Sequence, residues 1–319
     1  MISYFEAMVI GLIQGITELF PISSLGHSVL VPALIGGRWQ TLVTQSATES
    51  SESSPYLAFI VALHVASAIA LLIFFRAEWA RIIRGFLRSL PASVAARRII
   101  ARDPDERLAW LLVIGTIPVG ITGVALEHTF RTLFAKPLAA AIFLTINGVI
   151  LFAGEVLRRI APADDHVADG KPAAVIGHGL TPAAARTPAR TQRSLTTLSY
   201  REAGIIGFFQ TFALLAGISR SGISMVGGLA RGLSHRDAAR FSFLLATPAI
   251  LAAGLFKLPS LAGTASVGIH GQVLAGALVA GIASYISVRW LTRYFETRTL
   301  TPFAIYSLVM GIFCILQFA

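Results

Sequence analysis

Apolar residues fill six stretches of the chain, at about 55–75, 108–126, 138–157, 241–257, 272–290 and 300–318. Each is long enough to cross roughly 30 Å of hydrocarbon as a helix. Two further segments, 3–36 and 204–231, are equally apolar but broken, the first at "FPISS" and the second at "AGISRSG". Lipid cannot satisfy the backbone groups that a break exposes, so each break must be packed in protein or face a polar cavity. The pattern predicts an all-α integral membrane protein with six transmembrane helices and two re-entrant helical hairpins.

The two broken segments match each other. At an offset of 196 residues, "VIGLIQGITELFPISSLGHS" and "IIGFFQTFALLAGISRSGIS" share eight identities in twenty positions, among them Gly11/Gly207, Gln14/Gln210, Ser23/Ser219 and Gly26/Gly222. An internal repeat is the economical reading. Residues 76–107 carry Arg76, Arg81, Arg84, Arg88, Arg97, Arg98, Arg102 and Arg107, which assigns that loop to the cytoplasm. The first hairpin then has its C-terminal end outside, whereas the second is flanked by basic residues and enters from inside. Each is followed by three spans, giving an inverted repeat of 1–157 and 204–319, joined by a flexible cytoplasmic linker at 158–203. Within the basic loop, "EWARIIRGFLRSL" (78–90) is amphipathic and is expected to lie along the anionic leaflet.

Composition agrees with a multi-pass membrane protein: 55% of residues are hydrophobic, only 13% are charged, and the mean hydropathy is +0.73. The net charge of +10 comes from arginines bunched in loops, so nucleic acid is not expected as a partner. The one cysteine, Cys314, excludes an intramolecular disulfide. The N-terminus lacks a basic region and carries Glu6, unlike a cleaved signal peptide.

The breaks carry the candidate chemistry. Arg220 stands in an apolar neighbourhood between Ser219 and Ser221, followed by Gly222; an unpaired guanidinium there is costly, so it faces a cavity, an anion, or Glu18 as an ion pair. Its planar fork suits phosphate oxygens, and glycine-flanked serines at a helix start add donors. In the first break Gln14 and Glu18, spaced i, i+4, share one helix face. Glu18 can ligate a divalent cation, act as a base, or accept from Arg220. Pro21 ends the helix, Ser23 and Ser24 stand where N-cap donors belong, and His27 follows one turn later, suited to moving a proton. His64 is a weaker candidate for lining the cavity, and Asn147 reads as interhelical glue. His128 and Glu127 read as interfacial. The small-residue run "GALVAGIAS" (276–284) predicts close helix packing, within the subunit or across a homodimer.

With both breaks read, the chain resembles the undecaprenyl pyrophosphate phosphatase family of bacterial membrane enzymes associated with bacitracin resistance. The resemblance rests on "QGITELFPISSLGH" for the (E/Q)xxxE motif with its SS-x-GH continuation, and on "AGISRSG" for PGxSRSG. It implies catalytic roles for Glu18, Ser24, His27 and Arg220, and a substrate-binding set of Gln14, Ser23, Ser219, Ser221, Gly222 and Gln210. It further implies a Mg²⁺ or Ca²⁺ cofactor at Glu18 and Gln14, a polyprenyl diphosphate substrate, an active site opening outward, and residence in the bacterial plasma membrane. Three positions depart from the pattern: Gln14 replaces a frequent glutamate, Ala216 a proline, and Ile60 a frequent acidic residue. A transporter or flippase of a polyprenyl phosphate is the alternative that inverted repeats leave open, and a non-catalytic scaffold is a third.

Overall fold

The computed structural model describes residues 2–41, 55–125, 136–160, 193–262 and 268–319. It is helical throughout, with no strand among the described residues. Helix α1 (Tyr4–Thr17) and α2 (Ser24–Ile35) form the first hairpin. They are followed by α3 (Pro55–Phe74), α4 (Arg76–Ala96), α5 (Pro104–Ala125) and α6 (Pro137–Ile160). Helix α7 (Tyr200–Phe209), a 3₁₀ turn at Gln210–Leu214 and α8 (Arg220–Leu229) form the second hairpin. Helices α9 (His235–Ala262), α10 (His270–Tyr294) and α11 (Thr301–Phe318) complete the chain.

A helix lies over each of the six predicted spans. Four of them, α5, α6, α10 and α11, are long and apolar enough to cross a membrane, and α3 with α4 makes a fifth candidate bent by 87°. That bend turns the amphipathic stretch 78–90 across the end of α3 as part of α4. The linker expectation needs correction at both ends. Residues 158–160 continue α6, and 193–203 are ordered because Arg193 is bonded to Glu202 and to the Arg231 carbonyl. Residues 161–192, like His128 and Glu127, lie outside the described residues.

The hairpins pack by crossing over. Helix α1 lies along α10, and α7 lies along α5. A Cβ at Gly11 would overlap the Gly276 carbonyl, and one at Gly207 would overlap the Gly115 carbonyl. The two glycines are matched positions of the sequence repeat, and each admits a neighbouring backbone that a side chain would hold off. The small-residue run of α10 therefore packs within the chain, against α1. Below these contacts α11 runs along α6, and α9 lies against α3 and α8.

Candidate functional site

Both breaks meet at one place, and hydrogen bonds stitch them together. The Gly217 N–H donates to Ser23 Oγ (3.1 Å), and the Ser221 hydroxyl donates to the Phe20 carbonyl (3.2 Å). Ser23 takes φ +71°, an unusual backbone state for a residue with a side chain. From there its hydroxyl caps α2 at Gly26 N–H and holds the opposite hairpin as well. Gly217, at φ +114°, needs the freedom that only glycine has, and a Cβ there would strike the α6 backbone.

Asn147 of α6 joins the two. Its Nδ2 donates to the Pro21 carbonyl (3.0 Å) and Ser307 Oγ (3.2 Å), while its Oδ1 accepts from the Ser219 N–H (2.9 Å). The sequence reading of interhelical glue understated this side chain: fully buried, it sets the separation of the breaks.

Ser24 and Arg220 are the first residues of α2 and α8, so two helix N-termini open on the same spot. Such ends present unpaired N–H groups and a partial positive charge. Between them lies Glu18, almost fully buried. Its Oε1 pairs with the Arg220 guanidinium. Its Oε2 accepts from Ser24 Oγ (2.5 Å) and Gln14 Nε2 (2.9 Å), and His64 Nε2 stands 3.4 Å away. His64 Nδ1 lies 2.8 Å from the Ile60 carbonyl, which can only accept, so that nitrogen carries a proton and Nε2 is the one turned to Glu18. Gln14 and Glu18 form the floor, while Ser24, Arg220 and His64 are its partly accessible rim.

Two buried atoms at this centre have no hydrogen-bond partner, Arg220 Nη1 and Gln14 Oε1. A buried donor or acceptor left unmade costs about 1–3 kcal/mol, more when charged, so these atoms are suited to a ligand. The guanidinium keeps one arm on Glu18 and has a second to offer. An amide oxygen and a carboxylate are oxygen donors of the kind Mg²⁺ and Ca²⁺ take, so Gln14 and Glu18 are the side chains at this centre with the chemistry to hold such an ion. Among the described residues no group of three His, Cys, Asp or Glu side chains could hold an ion alone.

The other sequence candidates are placed differently. His27 is not hydrogen-bonded to Ser24: its Nδ1 lies 2.7 Å from the Ser23 carbonyl and its Nε2 2.7 Å from the Tyr306 hydroxyl. Ser23, Ser219, Ser221 and Gly222 are buried, and their polar groups are spent on capping and stitching. Gln210 points elsewhere, donating to the Gly115 carbonyl of α5 (3.0 Å). Tyr306 carried no signal as a site residue in the sequence, because its relation to His27 spans 279 residues.

Fold and site together define a multi-pass membrane protein with a carboxylate–guanidinium centre suited to a phosphorylated ligand. Residues 7–313 match the family model of bacitracin resistance protein BacA, and the chain belongs to that family. It is 60% identical to undecaprenyl-diphosphatase 2 of Frankia alni, across all of this chain and 98% of the relative. It is 58% identical to the undecaprenyl-diphosphatase of Mycolicibacterium paratuberculosis, across 97% and 95% of the two chains. A more distant relative, undecaprenyl-diphosphatase 2 of Chromobacterium violaceum, is 38% identical across 96% of each.

Proposed function

We propose that this protein hydrolyses undecaprenyl diphosphate to undecaprenyl phosphate and inorganic phosphate in the bacterial plasma membrane, recycling the lipid carrier for cell-wall synthesis. Relatives of that name cover the whole chain, and the centre contains the groups the reaction needs. The observation that carries the reading is Arg220, one arm paired with Glu18 and the other buried without a protein partner.

In the mechanism favoured by this geometry, Arg220 and the N-termini of α2 and α8 bind the terminal phosphoryl group and neutralise the charge that develops on its oxygens. Ser24 Oγ attacks the terminal phosphorus as the bond to the bridging oxygen breaks, and undecaprenyl phosphate departs. Glu18, already accepting the Ser24 hydrogen bond, takes the proton. Water then cleaves the phosphoserine to release phosphate, with Glu18 relaying the proton. A water activated by Glu18 in place of Ser24 gives the same products, and Ser24→Ala distinguishes the two. His64 borders the centre with Nε2 turned to Glu18, and His27, oriented by Ser23 and Tyr306, acts beside the centre and not on Ser24 directly. A divalent cation, when bound, neutralises phosphate charge, with Gln14 Oε1 and Glu18 as its protein ligands.

The two hairpins, each with three following spans, are read as inverted halves 1–157 and 204–319. The crossed packing of Gly11 and Gly207 supports this arrangement. The test is phosphate release from undecaprenyl diphosphate by the purified protein, abolished in Glu18→Ala and Arg220→Ala. Transport of a polyprenyl phosphate without phosphate release would overturn the reading.

A further inference from the structure

Away from this centre, a groove of about 540 Å³ runs between α4, α5 and α9. Its walls include Trp79, Ile83 and Phe86 from α4, Ile117 and Gly120 from α5, and Pro248 from α9. The Thr116 hydroxyl is turned back onto the Leu112 carbonyl (2.7 Å), so this side chain offers no polar group to an occupant. From Ala109 to Ile121 the α5 wall is about 18 Å long at 1.5 Å per residue, close to the ~15 Å of one leaflet's hydrocarbon. The length and the greasy lining suit one acyl chain.

Charge selects the headgroup. Helix α4 turns 87° from α3, so with α3 upright in the bilayer this basic amphipathic helix lies at the level of the headgroups. Arg81 is paired with Asp105 (3.6 Å), and Arg88 with Asp103 (2.5 Å) and Glu106 (3.0 Å). Arg76 and Arg84 are exposed and have no carboxylate partner among the described residues; they bond only to the Ile73 and Ala80 carbonyls. Arg76 stands one helical turn before Trp79 and shares its face of the helix, so one uncompensated cation borders an acyl-sized groove, whereas Arg84, next to Ile83, is turned about 100° further round the helix. We infer that this groove is a binding site for a phospholipid with an anionic headgroup, its acyl chain between α4 and α5 and its phosphate at Arg76. Each arginine near an anionic headgroup is worth about fivefold in affinity. The site is independent of the hydrolase reading, because it uses none of the same residues.

Gly120 gives the groove its depth, and a Cβ there meets nothing within 4 Å. Gly120→Leu therefore fills the groove without a clash, and it also favours the helix. The test is native mass spectrometry of the full-length protein in detergent, titrated with phosphatidylglycerol or phosphatidylcholine of matched chains. Phosphatidylglycerol should bind at least fivefold more tightly to one saturable site. Gly120→Leu should lose that site, and Arg76→Gln should lose the preference for the anionic lipid while Arg84→Gln keeps it. A second measurement is quenching of Trp79 fluorescence by brominated phosphatidylglycerol in vesicles, with wild type against Gly120→Leu. Equal binding of the two lipids would reduce the groove to ordinary annular contact and overturn the inference. Displacement of phosphatidylglycerol by undecaprenyl diphosphate would assign the groove to the substrate tail and overturn it equally.

Discussion

Replacing Arg220 by lysine separates its two tasks. The guanidinium neutralises buried Glu18 with one arm, and its Nη1, without a protein partner, is the arm proposed to hold the phosphoryl group. A lysine ammonium is a single point charge, able to remain beside Glu18 but unable to present a planar second arm in another direction. The carboxylate stays compensated, so Arg220→Lys should fold normally, with an unfolding temperature within a few degrees of wild type. What is lost is one donor to charge developing in the transition state, worth roughly 10²–10³ in rate, or about 2.7–4 kcal/mol. Arg220→Ala does more damage, because it strands a buried carboxylate at a further cost of about 3–5 kcal/mol in stability. The assay is phosphate release from undecaprenyl diphosphate at several substrate concentrations, alongside thermal unfolding in the same detergent. A Lys variant folded like wild type and within about threefold of its kcat/KM would refute the argument, because the free arm would then have no role.

Three further outcomes are expected. Tyr306→Phe removes the hydroxyl bonded to His27 Nε2; kcat/KM should fall about five- to tenfold, the equivalent of one net hydrogen bond of ~1 kcal/mol, and unchanged kinetics would leave His27 a structural cap. Gln14→Glu sets a second carboxylate against Glu18, so thermal unfolding in chelator should move to lower temperature and recover with Mg²⁺ or Ca²⁺, whereas the same shift with and without metal would refute the proposal that residues 14 and 18 hold the cation. Near the start of α7, burial alone would raise the Glu202 carboxyl, but hydrogen bonds from Arg193 and Ser199 hold it down at about 2, against an ordinary 4.5. A depressed carboxyl stabilises above its unfolded value and loses that contribution as pH falls through the folded one. Pepsin should therefore begin to cut within 193–203 only as pH drops from about 4.5 towards 2, and equal cutting across that window would sink the anchor.

Periodicity and breaks carried far in the sequence because lipid imposes one rule on every span: backbone groups must be satisfied internally. The helices at the six apolar stretches, and the facing of Gln14 with Glu18, followed from that rule and from helical spacing. Local spacing could not show which hydroxyls the fold consumes. Ser23, Ser219 and Ser221 have the composition of a phosphate loop, yet their side chains cap helices and bridge the hairpins, because partners lie about 200 residues away. For the same reason Asn147 was legible only as a polar residue in a span, and Tyr306 not at all. His64 stood out in its helix, but its proximity to Glu18 depends on how α3 packs beside α1, which the sequence does not encode locally.

The internal repeat gives the centre a physical logic. Ser24 and Arg220 occupy matched positions, 196 residues apart, and each is the first helical residue after a serine N-cap. Ser23 accepts from Gly26 N–H and Ser219 from Gly222 N–H, so both turns are closed by the same local bond. Two turns capped by the same serine bond, though Ser23 is at φ +71° and Ser219 at φ −85°, offer an anion two converging sets of N–H groups before any side chain is specified. Divergence at this partly accessible position then divides the labour, with a hydroxyl on one side and a guanidinium on the other. Glu18 has no counterpart, because its matched position is Leu214. One carboxylate beneath two positive helix ends can serve the hydroxyl as base and the guanidinium as anchor, and the pocket above keeps a net positive field for a diphosphate.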